Sequence, residues 1–67
     1  MANLDMLKNK IEESGMTIEN LAKRANIKRY TLDRRLRGGG EFRASEIVGL
    51  TRALKLTVAE KNKIFFS

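Results

Sequence analysis

"TIENLAKRANIKRYTLDRRLRGGG", Thr17 to Gly40, decides the fold, because it reads as two short helices separated by a tight turn. Thr17 is a helix cap, and Ile18, Leu21, Ala22 and Ala25 follow the i, i+3, i+4, i+7 pattern of a buried stripe. Asn26 tolerates positive φ best after glycine, so a sharp turn is expected there, with Ile27 tucked inward. A second helix then runs from about Arg29 to Arg37, and Gly38 to Gly40 cannot continue it. With Leu32 set at zero, Leu36 falls at about 40°, whereas Tyr30, Arg34 and Arg37 fall at about 160°, 200° and 140°. The leucines therefore face inward and those three residues outward. Arg35 lies toward the inner face, where its stem is expected at the core edge and its head in water or on a phosphate.

The charge is concentrated in the same place. Lys23 to Arg37 holds seven of the 14 Lys and Arg residues and, at Asp33, one of the eight acids, so the net +6 resides there and the other 52 residues balance. An excess of one sign on one face points to a polyanionic partner, whereas a uniform excess would say little beyond solubility.

The flanking sequence completes an all-α, five-helix single domain over residues 1–67. Before the quoted stretch, Asn3 caps a helix carrying Leu4, Leu7 and Ile11, which Gly15 ends. After it, a helix from about Ala44 to Lys55 buries Ile47, Leu50 and Leu54, with Phe42 anchoring the loop before it and Gly49 weakening it slightly. "TVAE" is a capping box, Thr57 with Glu60, opening a last helix that ends in Ile64, Phe65 and Phe66.

Composition narrows the function classes. With no His and no Cys, the commonest general base, the commonest metal ligand and the best nucleophile are missing, so no catalytic residue, metal or cofactor is expected. Glu12 and Glu13 point in different directions on their helix, and no Lys-Ser or Lys-Thr follows the glycines as a phosphate-cradling loop requires. No apolar run approaches the roughly 18 residues that span a bilayer, and "MANLDMLKNK" lacks the core of a signal peptide, so a cytoplasmic location is expected.

Two short helices joined by a turn, the second basic outside and apolar inside, are what entry into the DNA major groove requires. These residues resemble the helix-turn-helix, here about 17–37, of small Cro and repressor proteins of bacteriophages, in the Cro/CI (XRE-like) group. "LAKRANI" looks like the first helix and turn, "YTLDRRL" like the reading helix, "EFRASEIVGLTRALKLT" like the supporting helix and "EKNKIFF" like the closing segment. The resemblance implies the lambda-repressor-like fold, and a chain ending here looks like Cro rather than a full-length repressor. Double-stranded operator DNA is the implied partner, with no small-molecule substrate and no membrane.

Carried over residue by residue, the resemblance implies base contacts from Arg29, Tyr30 and Arg34, with Lys28 and Asp33 added. It implies phosphate contacts from Thr17, Thr31, Arg37, Arg43 and Gly38 with its loop. Arg29 and Arg34 can each bond guanine with two parallel donors, worth about 1–3 kcal/mol of discrimination. Tyr30 can meet a thymine methyl, and Asp33 either accepts from cytosine or pairs with Arg29 or Arg37. Two departures stand out: Asn26 replaces the usual turn glycine, and Lys28 replaces the Ser or Thr that often caps the reading helix. A missing cap costs about 1 kcal/mol, so backbone phosphate or another side chain is expected to compensate.

Adjacent aromatics cannot both face one core from a regular helix, and so small a core gains from association. One aromatic is expected to fold back while the other meets a partner, and since Cro-type proteins pair through the segment after the helix-turn-helix, the resemblance implies a homodimer interface at Ile64, Phe65 and Phe66, within 57–67, that sets two reading helices about 34 Å apart. The rival reading is a protein-binding module on the same fold, an antirepressor or antitoxin-like partner, since fold alone does not assign function.

Overall fold

The computed structural model describes residues 2–66. Five helices follow in order: α1 (Leu4–Ser14), α2 (Ile18–Ala25), α3 (Arg29–Leu36), α4 (Ala44–Ala53) and α5 (Val58–Phe65). Each contributes one side chain with 0% exposure, respectively Leu7, Leu21, Leu32, Leu50 and Ile64, to a common centre. Full burial of such a side chain contributes about 1.5–3 kcal/mol, so every helix is tied to the core by at least one residue of that weight. Among the described residues no helix is long and apolar enough to cross a membrane.

The helix ends form where local chemistry places them. Asn3 Oδ1 accepts from the Met6 N–H at 3.1 Å, and Gly15 ends α1 at φ 74°. Thr17 Oγ1 accepts from the Asn20 N–H at 3.1 Å, and Asn26 closes α2 in the left-handed conformation, φ 57° and ψ 45°. The Ile27 N–H then donates to the Ala22 carbonyl at 2.9 Å, which turns Ile27 into the core and aims α3 across α2.

Helix α4 differs from the sequence expectation in two respects. It ends at Ala53 rather than near Lys55, because Lys55 adopts φ 54° and the Leu56 N–H returns to the Thr51 carbonyl at 2.9 Å. That closure carries Leu56 into the core, while Leu54 is only half-buried against it. Gly49 is not a weak point in this helix. A Cβ there would lie 3.0 Å from the Ala25 carbonyl carbon and nearer still to its oxygen, so the glycine is what lets α4 rest on the end of α2.

Helices α1 and α5 are fastened together at the far side. The Asn3 N–H donates to the Ile64 carbonyl at 2.6 Å, and Lys10 forms an ion pair with Glu60. Glu60 also accepts from the Thr57 N–H at 2.9 Å, completing the capping box of α5. The Lys10 hydrogen bond, followed by that from Thr57, holds the Glu60 carboxyl below its ordinary value, and the same pair raises Lys10.

Candidate nucleic-acid interface

Helix α3 has the two faces that its periodicity requires. Leu32 and Leu36 are buried, whereas Tyr30 is 75% exposed and Lys28, Arg29, Arg34 and Arg37 are exposed with it. Lys28 stands at the cap position in extended conformation, φ −62° and ψ 137°, with no side chain bonded to the open amides of the first turn. Among the described residues no other side chain supplies the missing cap bond, so the first-turn amides and the positive end of α3 are left for a partner outside the helix.

Arg29 is bracketed by two acids. Its Nη1 lies 3.5 Å from Glu19 Oε1 on α2, and its Nε lies 3.8 Å from Asp33 Oδ2 one turn along α3. Glu19 in turn stands 3.9 Å from Lys23 Nζ. Of the two arginine partners open to Asp33 in the sequence, the structure uses Arg29. Glu19 was missed by sequence reading: its spacing shows a pair with Lys23, but its approach to Arg29 exists only once the turn has brought α2 and α3 together.

Two shallow grooves flank the exposed face, and both are lined by Tyr30 and Arg34. One, of about 460 Å³, brings Lys28, Thr31 and Arg43 together around Gly39 and Gly40, with Arg35 and Glu46 also lining it. The other, of about 220 Å³, is lined by Asp33, Arg37, Gly38 and Gly39. Thr17 lies outside both, at the start of α2; its oxygen accepts the capping bond from Asn20, which leaves the hydroxyl proton free to donate. The groove walls depend on the glycines that end α3. Gly38 takes φ 85°, and a Cβ on Gly39 would lie 2.7 Å from Arg34 Cγ, so the loop folds back against the arginine stem.

Arg35 departs from expectation. Its guanidinium does not extend outward but pairs with Glu46 on α4, Nε to Oε1 at 3.0 Å and Nη2 to Oε2 at 3.4 Å, with the two side chains only 14% and 11% exposed. Glu46 Oε1 also accepts from the Arg43 N–H at 2.8 Å, which caps α4. Burial is the largest influence on this carboxyl and pushes it up; the bonds from Arg35 and Arg43, with their charges, outweigh it and hold the group below its ordinary value. The inward angle of Arg35 was readable, but its partner, eleven residues on, was not.

The C-terminal aromatics divide. Ile64 is fully buried and Phe65 nearly so, its ring meeting Phe42 edge-on at 5.3 Å, so both contribute to the core, and Phe65 also lines the groove beside Phe66. Phe66 is 64% exposed at the rim of an apolar groove of about 540 Å³ that includes Ala2, Leu4, Phe42 and Ile47. With Ile64 at zero, Phe65 falls at about 100° and Phe66 at about 200°, on the side away from Ile64, and Phe66 already lies past the end of α5 at φ −129°.

A family model for the Cro/C1-type HTH DNA-binding domain matches residues 6–62, which takes in most of α1, all of α2 to α4 and most of α5. No curated protein and no solved structure matches the chain significantly.

Proposed function

The chain belongs to the Cro/C1-type helix-turn-helix DNA-binding family, and from that premise we propose that it is a sequence-specific transcriptional repressor of the bacteriophage Cro type, acting as a homodimer on operator DNA in the bacterial cytoplasm. Helix α3 enters the major groove. Arg29, Tyr30 and Arg34 read base edges, with Lys28 and Asp33 beside them, while Thr17, Thr31, Arg37, Gly38 and Arg43 hold the phosphate backbone. The observation that carries this reading is that the charge excess falls within the helix-turn-helix segment Lys23 to Arg37, where α3 and its ends present Lys28, Arg29, Arg34 and Arg37 to solvent while Leu32 and Leu36 seal the opposite face.

Repression follows from occupancy: a dimer seated on a promoter excludes polymerase from the same duplex. Phe66, exposed beside an apolar groove, supports a subunit contact at the end of α5. The test is binding of Arg34→Ala and Arg37→Ala to a selected operator. Arg34→Ala should cost about 1–3 kcal/mol and relax preference at one base pair, whereas Arg37→Ala should weaken all sequences alike and reduce the salt slope by about one phosphate. Equal loss on all sequences from both variants would overturn the assignment of Arg34 to base reading.

A further inference from the structure

The Arg35–Glu46 pair occupies a position that simple core packing does not call for. Two side chains of opposite charge, almost buried, join the last turn of α3 to the first turn of α4 and line the groove whose rim carries Lys28, Thr31, Arg34 and Arg43. Three bonds converge on the Glu46 carboxylate: two from the Arg35 fork and one from the Arg43 N–H. The connecting loop is moulded on the same guanidinium, since a Cβ at Gly40 would lie 2.7 Å from Arg35 Nη1. The path of the chain from Gly38 to Arg43 is therefore set by where this pair sits.

We infer that Glu46, acting through Arg35 and the Arg43 backbone, is a positioning residue for the DNA backbone: it fixes the separation of the α3 and α4 ends so that one phosphate is held between the Lys28–Thr31 side and the Arg43 side of the groove. This deepens the DNA-binding reading above and rests on it. Neither Arg35 nor Glu46 touches DNA in this account. Their worth lies in geometry, because a planar guanidinium gripped by a carboxylate allows one arrangement where a lysine or an apolar pair allows several. Burying an ion pair is a poor way to gain stability, since an apolar pair of like volume often serves as well. Its presence beside a groove rimmed by Lys28, Arg34 and Arg43 is accounted for by what it orients.

The test uses the full chain with Arg35→Met/Glu46→Leu, which leaves net charge unchanged, and with Arg35→Lys, which keeps charge and removes the fork. Thermal melts establish folding, and affinities for the selected operator and for random duplex are measured across a salt series. The double variant is expected to melt cooperatively and lose about tenfold in affinity on both duplexes, with base preference kept and the salt slope reduced by about one phosphate. Arg35→Lys should shift the same way by about threefold, and it decides the matter should the double variant fail to fold. Unchanged affinity and slope in a folded variant overturn the inference, as does loss of base preference with an intact slope. A wild-type chain that selects no operator overturns the parent reading, and this one with it.

Discussion

Gly49 of α4 rests directly on the carbonyl of Ala25, the last residue of α2, so closely that a Cβ at 49 would overlap the oxygen and lie 3.0 Å from the carbonyl carbon. Backbone meets backbone there, and neither side can rotate away. This contact sets how near α4 lies to α2, and through α2 how α3 is presented.

Gly49→Ala should therefore destabilise the domain although alanine is the better helix former. The propensity gain of about 1 kcal/mol is outweighed by overpacking against fixed backbone, typically about 1–3 kcal/mol. A net loss of stability in denaturant unfolding is the expected result. A rise in midpoint would mean that the two helices separate without cost.

Acid should unfold the protein through two carboxyls. Glu46 and Glu60 are both held below the ordinary value of 4.5, so the folded state binds fewer protons than the unfolded chain as pH falls. Their stabilising contribution is complete above that value and disappears as pH drops through the lowered folded values. Melting temperature should fall from about pH 5 downward, and less steeply in Glu60→Gln than in wild type. Lys10 gives the mirror image, its contribution present below 10.5 and lost as pH rises past its raised value.

The uncapped start of α3 predicts an exchange between stability and binding. In Lys28→Ser, a serine at an extended cap position can accept from the first-turn amides and should add about 1 kcal/mol. The same change removes a cation from the groove rim, so duplex affinity should fall and its salt dependence become shallower. A variant that gains stability with affinity unchanged would remove Lys28 from the interface.

Glu19 should act on selectivity rather than stability. Its pairs with Arg29 and Lys23 are exposed, and such pairs contribute little to folding. A carboxylate beside Arg29 nevertheless repels phosphate and steadies the guanidinium. Glu19→Gln should bind random duplex about two- to threefold more tightly and discriminate less at the base pair that Arg29 is proposed to read. Competition binding against mismatched operators measures both effects.

Much of the fold was legible because its signals are local. Caps at Asn3, Thr17 and Thr57, the left-handed Asn26, the glycine stop after α3 and the spacing of Leu32 and Leu36 each depend on residues within one or two turns. What sequence did not reveal depends on residues that meet only after folding. Glycine in a helix signals lost propensity, so the contact of Gly49 with Ala25 was invisible, as were the pairing of Arg35 with Glu46 and the bracketing of Arg29 by Glu19. Lys55 carries no turn signature, and its positive φ is imposed by Leu56 entering the core. The outward face of α3 was found because periodicity and charge coincide there; the grooves beside it needed the loop from Gly38 to Arg43.

The central claim, that α3 reads base sequence as one half of a twofold dimer, is tested most directly by selection from a random duplex pool at two salt concentrations with Arg34→Ala in parallel. The account predicts two inverted half-sites about 10 base pairs apart, enriched at both salts by wild type and weakened at one position in each half-site by the variant. Recovery of duplexes without a common sequence, vanishing at the higher salt, would contradict it and leave α3 as a surface of phosphate attraction alone.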